Sequence, residues 1–191
     1  MTTQQVADFL RTNVDWHRFS KLVKALGHQL NTEQLRFLKA RILEKSVEQY
    51  SNKTLKYVAQ DGVDFLITGL NNIRLEMKYT EGAIYTSKKN ELRKNCSIKL
   101  TNSMGTNTHA QLPPYYADYL MFVSNRGAIL FDKPTLQAHS TSGGDGIHAT
   151  LPTELGIIIA DHTVMDPKDQ QEVDFIRQLD KSVEVYSSKI L

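Results

Sequence analysis

Cysteine is nearly missing from this chain. Cys96 stands alone among 191 residues, so no intrachain disulfide is possible and a cysteine-rich tetrahedral zinc site is excluded. Long apolar runs are missing as well. The longest, residues 155–160, falls far below the roughly 20 residues that a membrane-spanning helix requires. Residues 1–11 have no apolar core ahead of a small-residue cleavage site, so no secretory signal is expected. The sequence has no internal repeat, no low-complexity tract and no Pro/Gly/Ser linker that would separate domains. Nor does one sign of charge prevail. Lysine and arginine number 23 against 21 acids, a net +2, which by itself says little about partners. What is present is a globular composition, 40% hydrophobic and 23% charged, which favours a packed core over disorder. The expectation is one soluble domain over 1–191 in a reducing, cytoplasmic compartment, with no membrane partner.

Apolar periodicity divides the chain. Residues 4–50 read as helical: Val6, Phe9 and Leu10 recur at helical spacing, and Phe19, Leu22, Val23 and Leu26 form a second stripe that ends at Gly27. Asn31 or Thr32 can cap a third helix whose buried stripe holds Leu35, Leu38 and Ile42. From Leu55 the pattern turns to strands. Residues 55–60, 63–68 and 73–80 are rich in β-favouring residues, with a turn signal at 69–72. A helical piece is expected near 87–95, a second hairpin from 119–123 and 128–131, and a loop over 139–150. Residues 155–160 read as a strand covered on both faces. Asp166-Pro167 starts a closing amphipathic helix bearing Val173, Ile176, Leu179 and Val183. The fold class expected is mixed α/β (α+β), a mixed sheet flanked by helices. Its parts are a helical segment at 1–52, a sheet core at 53–165 and a terminal helix at 166–191.

The chemistry concentrates in two neighbouring strands. On the second, Glu76 and Lys78 lie two apart and project from one face, while Leu75, Met77 and Tyr79 take the other. Asp64, at the start of the first strand, can face the same pair. Two carboxylates and a lysine at a sheet edge suit a hard cation such as Mg²⁺, which takes carboxylate oxygens and keeps several waters. Such a metal binds a phosphodiester oxygen and activates water. Lys78 would orient or deprotonate that water, or offset phosphate charge. The competing reading is a solvated strand face on which Arg74, Glu76 and Lys78 alternate outward. Pairing parity separates the two. Asp64 and Glu76 share a face only if the intervening loop holds an odd number of residues, so three or five residues, or a bulge, are expected there.

Asp64, eleven intervening residues, then Glu76-Met77-Lys78 resembles the signature of the PD-(D/E)xK nucleases, the type II restriction endonuclease fold. The order of elements from about 33 to 160 resembles that family's core of a helix, a strand meander, a helix and another strand. Val63 stands where the family often has proline. The resemblance implies Asp64 and Glu76 as ligands of Mg²⁺, the Met77 backbone carbonyl as a further ligand, and Lys78 at the attacking water. It also implies an accessory acid from the preceding helix, for which Glu44 and Glu48 are the candidates. The activity implied is sequence-specific hydrolysis of double-stranded DNA leaving a 5′-phosphate, in a prokaryotic or phage setting. Two alternatives stand beside it: a structure-specific nuclease (a junction resolvase or repair enzyme) and a non-enzymatic DNA-binding protein. Cutting both strands with one small chain calls for a homodimer, with the N-terminal helices as the spare apolar surface.

DNA needs a cationic surface. Residues 84–104 carry Lys88, Lys89, Arg93, Lys94 and Lys99 against Glu91 alone, whereas 161–191 are net acidic. Asn95, Asn102 and Asn107 can read adenine edges. The glycine-rich segment with Ser142, Gly143, Gly144 and His148 permits close approach to a nucleic-acid backbone. No phosphate-binding loop or nucleophile-elbow motif is present.

Overall fold

A computed structural model of the chain describes residues 1–29, 36–60, 62–80, 84–86, 91–102, 117–124, 126–143, 146–161 and 163–165. Three helices come first. Helix α1 (Thr3–Asn13) starts at a capping box, in which the Thr2 hydroxyl accepts from the Gln5 backbone and the Gln5 side chain accepts from the Thr2 backbone. Helix α2 (Trp16–Gln29) follows, with Asp15 accepting from the Arg18 N–H at 2.9 Å, and runs past Gly27. Helix α3 (Arg36–Tyr50) precedes the strands. Strands β1 (Leu55–Gln60), β2 (Val63–Ile67) and β3 (Ile73–Tyr79) form an antiparallel meander. Strand β4 (Asn95–Asn102) leaves for a second sheet before β5 (Tyr119–Ser124) returns to lie parallel to β3. Strand β6 (Gly127–Asp132), helix α4 (Lys133–Ala138), β7 (Ser140–Gly143), β8 (Gly146–Pro152) and β9 (Ile157–Ala160) complete the described elements. The larger sheet has the order β1-β2-β3-β5-β6-β9 and the smaller the order β4-β8-β7. The fold is thus mixed α/β, a mixed sheet flanked by helices.

Each face of the larger sheet has its own core. On one, Phe65, Ile67, Leu75, Met77, Met121, Val123 and Leu130 pack with Val6, Leu10, Phe19, Leu26, Leu43 and Val47 of the helices. On the other, Leu120, Phe122, Ile129 and Phe131 pack with Cys96, Ala149 and Leu151 of the smaller sheet and Leu136 of α4. Burying one such side chain stabilises by about 1.5–3 kcal/mol. The apolar stripes of α1 and α2 are therefore consumed inside the chain. The expectation that they form a spare dimer surface fails on this point, since Val6, Leu10, Phe19 and Leu26 are fully buried.

Other expectations change too. The helical piece near 87–95 is not found in its described part: Leu92 forms a bridge to Tyr85 and Asn95 opens β4. The loop at 139–150 is largely a hairpin, with Ser140 paired to Ala149 and Gly143 to Gly146. Short serine- and threonine-rich strands have weak apolar alternation, and their glycines read as loop. On α3 the fully buried positions are Leu43 and Val47, with Leu38 and Ile42 half-buried. The strand at 155–160 shrinks to β9, the edge of its sheet, with Leu155 exposed. Leu35, the cap at 31–32 and the terminal helix from 166 lie outside the described residues.

Gly156 precedes β9 with an ordinary φ of −97°, and space alone requires it. A Cβ there would sit 2.6 Å from Ile129 Cδ1 and 2.7 Å from Phe131 Cε1, both fully buried. Gly156→Ala is expected to destabilise the fold by about 1–3 kcal/mol through overpacking. The urea midpoint of the variant reads this directly, and an unchanged midpoint would contradict it.

Candidate functional site

The β2–β3 pairing has the parity the site needs. Phe65 faces Leu75 and Ile67 faces Ile73, which leaves five loop residues, 68–72. Residues 68–70 make a 3₁₀ turn. Asn71 and Asn72 then adopt φ of 55° and 57°, the left-handed region that asparagine tolerates best among residues with a side chain. The Asn72 N–H closes the loop on the Ile67 carbonyl at 3.1 Å. Gly69 is glycine because the loop packs on α1, where a Cβ would lie 2.7 Å from Phe9 Cζ. With this parity Phe65, Ile67, Leu75 and Met77 point to the helix side, and Asp64, Glu76 and Lys78 share the opposite face.

Asp64 sits where the β2–β3 ladder ends. Its Oδ2 accepts the Met77 N–H at 2.7 Å, taking the place of the next ladder partner. A strand residue directs its N–H and C=O to the same side, so the Met77 carbonyl also leaves β3 toward Asp64. Glu76 is 8% exposed, and its Oε1 lies 2.5 Å from Lys78 Nζ. Burial pushes the Asp64 carboxyl up, against the Met77 N–H, Lys78 and Arg41. Burial also raises Glu76, with Lys78 opposing and Asp64 adding. At Lys78 burial pulls the ammonium down, but Glu76, Asp64 and Glu44 outweigh it and hold it above its ordinary value. Lys78 is thus a proton-bearing cation here. It can donate to a phosphate or water oxygen, and the neighbouring carboxylates disfavour its loss of the proton.

Helix α3 supplies the third carboxylate. Glu44 is pushed up to about 7, first by burial and then by Asp64, with Arg41, Lys78 and Lys45 pulling the other way. Glu48, the other helix acid considered, does not join. Its Oε1 accepts the Tyr57 N–H at 2.9 Å and its Oε2 lies 3.5 Å from Lys45 Nζ, which ties it to the edge of β1. The choice between them depends on which side of α3 meets the end of the sheet, and the helix sequence alone does not carry that. Arg41, missed in the sequence, stands 3.4 Å from Glu44 and 5.1 Å over the Tyr57 ring. Its position three residues before Glu44 on a helix was the available signal.

Asp64, Glu76 and Lys78 together carry a formal charge of −1 in a largely desolvated corner, and −2 once Glu44 ionises. Oxygen donors with proton affinities raised by burial suit a hard divalent cation, which would supply the missing positive charge. Among the described residues no group of three or more His, Cys, Asp or Glu side chains is drawn together as a ready metal cage. The set is two or three carboxylates around an ion pair, which suits a cation that keeps waters.

The residues proposed to bind DNA are spread out. Lys88, Lys89, Asn107 and Gly144 lie outside the described residues. Arg93 and Lys94 lead into β4, and the Arg93 N–H is taken by the Ile84 carbonyl. Lys99 and His148 face each other across β4 and β8, on the side away from buried Cys96 and Ala149. Asn102 and Gly143 both pair with Gly146 at one tip of the smaller sheet, and Ser142 is the next residue along β7. The described ones on β4, β7 and β8 belong to the smaller sheet, whereas Asp64, Glu76 and Lys78 lie on the larger. No helix among the described residues is long and apolar enough to cross a membrane. No protein-family model, curated protein or solved structure matches the chain.

The raised Glu44 carboxyl makes stability depend on pH with a definite sign. Between its ordinary 4.5 and about 7 the folded state holds a proton that the unfolded state has lost, so stability falls as pH rises through that window. Glu44→Gln removes the titration. The variant is expected to gain stability over wild type at pH 7.5 relative to pH 5, by on the order of 1 kcal/mol, measured by urea unfolding without divalent cations. An equal difference at both pH values would show that Glu44 does not titrate in this window.

Proposed function

We propose that the protein is a Mg²⁺-dependent endonuclease of double-stranded DNA, resembling the type II restriction enzymes. The observation that carries this reading is the convergence of Asp64, Glu76 and Lys78 on one face of a correctly registered hairpin, with Glu44 reaching them from α3. Element order adds support, because α3 is followed by the β1–β2–β3 meander and then by β5. It also departs from the family pattern: the described part of the β3–β5 connection contains β4 where a helix is expected.

In this reading Asp64 and Glu76 hold the metal, together with the Met77 carbonyl, and Glu44 is the accessory acid. Bound Mg²⁺ would supply Lewis acidity toward the phosphodiester and a lowered water pKa. The rest falls to the chain. Asp64 is oriented by the Met77 N–H, which engages one of its two oxygens. Glu76 is held on a rigid strand and paired with Lys78. Lys78, two residues along the same face, would position the attacking water or hold a phosphate oxygen. Arg41 offers a second cation at the rim. Paired cuts in both strands require a homodimer, whose interface must lie elsewhere than the buried stripes of α1 and α2.

Supercoiled plasmid with Mg²⁺ is expected to be cut to discrete fragments, and Asp64→Ala or Lys78→Ala to reduce the rate by about 10²–10⁴-fold. Nicking confined to branched or damaged DNA would favour the resolvase or repair alternative. Undiminished cutting by both variants would remove the site. Metal binding has its own readout. Mg²⁺ at roughly 100 times its Kd is expected to stabilise wild type by about 2–3 kcal/mol and to leave the unfolding midpoint of Glu76→Gln nearly unmoved. An equal shift in both proteins would place the cation elsewhere.

A further inference from the structure

The segment from Arg36 to Lys56 carries six cations (Arg36, Lys39, Arg41, Lys45, Lys53 and Lys56) against two carboxylates, Glu44 and Glu48. This is a basic concentration distinct from that at 84–104. The fold gathers part of it at a cavity of about 460 Å³ between the end of α3, the outer edge of β1 and the β2–β3 loop. Its lining is Lys45, Glu48, Gln49, Lys53, Lys56 and Thr68. Glu48 is engaged by the Tyr57 N–H and by Lys45, so the lining carries three lysines against one carboxylate. Lys53 and Lys56 are exposed and have no ion-pair partner among the described residues.

Lys45 and Arg41 both stand over the Tyr57 ring, at 4.2 and 5.1 Å, and Arg41 reaches Glu44. Lys56 pairs with Leu66, so it shares the sheet face of Asp64 and lies one strand over and two residues along, about 8 Å by strand geometry. Cations therefore flank the β1 edge on both sides: Lys56 on the face of Asp64, and Lys45 and Arg41 over Tyr57, which pairs with Phe65 on the helix side.

We propose that this edge groove, with Lys53, Lys56 and Lys45 as its cations, holds the phosphate backbone of duplex DNA beside the bond to be cut. The inference rests on the nuclease reading for the bond to be cut, but the groove binds through its own charges. It is fit for backbone contact because lysines neutralise phosphates without reading bases. Each phosphate contact should add to the salt dependence of binding in a sequence-independent way.

The test is fluorescence anisotropy of a short labelled duplex titrated over a range of salt, in EDTA so that cutting does not intervene. Lys53→Asn suits the left-handed backbone at that position, φ 64°, and is combined with Lys56→Gln. Both are exposed, and thermal unfolding verifies the fold. The slope of log affinity against log salt is expected to become shallower by about 1 per lost contact, with weaker binding at every salt. Lys94→Gln with Lys99→Gln, on the smaller sheet, is the comparison pair. An unchanged slope in the groove variant, with the loss appearing only in the comparison pair, would overturn the proposal. So would aggregation of the groove variant without change in slope, since lysines that merely protect edge strand β1 from pairing would behave that way. Plasmid cutting is scored separately. Cutting that survives without groove-dependent binding rejects the groove alone, and groove-dependent binding without any cutting rejects the nuclease reading alone.

Discussion

The pairing parity of β2 with β3 governs the rest of the molecule. A slip of one residue would exchange the faces of β3, sending Leu75 and Met77 out of the helix-side core and Glu76 and Lys78 into it. The five-residue loop prevents this through two consecutive left-handed asparagines and the Asn72 to Ile67 hydrogen bond. Strand β5 inherits the register through its parallel pairing, Glu76 beside Leu120 and Lys78 beside Phe122. The charged pair thus lies next to the apolar residues that support the smaller sheet. The same partition that builds two cores places the ionic groups at the boundary of the second.

That boundary is costly for ions. Glu76 and Asp64 are largely out of water and their proton affinities rise for that reason. The Lys78 contact offsets part of the cost, yet a buried ion pair contributes little net stability beside an apolar pair of the same shape. A sheet selected only for stability would place leucine or valine there. Retaining two carboxylates and a lysine on this face, with a backbone N–H directed at one carboxylate and Glu44 within electrostatic reach, is a departure from maximal stability. The charge imbalance left over has the sign and hardness that a divalent cation would satisfy.

Charge elsewhere follows the architecture. The near-neutral total of +2 hides two basic regions that the fold separates. Lys99 faces outward from the smaller sheet, while Lys45, Lys53 and Lys56 line a cavity beside edge strand β1 of the larger one. Lysine on an edge strand discourages pairing with other chains. Here Lys56 of β1 also lines a cavity, together with Lys45 and Lys53.

Much of this was legible in the sequence, because the code involved is local. Period-two alternation put Glu76 and Lys78 on one face and Leu75 and Met77 on the other, and parity arithmetic required the odd loop. Helical spacing located α1 and α2. The hairpin β7–β8 was not legible, because its polar strands gain order from neighbours instead of from their own pattern. The choice of Glu44 over Glu48 and the roles of Arg41 and Lys56 were equally hidden. They depend on how α3 lies across the meander and on which strand forms the sheet edge. By itself the sequence determined which residues share a strand face, since a side chain's face follows from its position in the chain. Only the tertiary structure decided which distant charges meet, since that depends on packing between elements and on how far each group is removed from water.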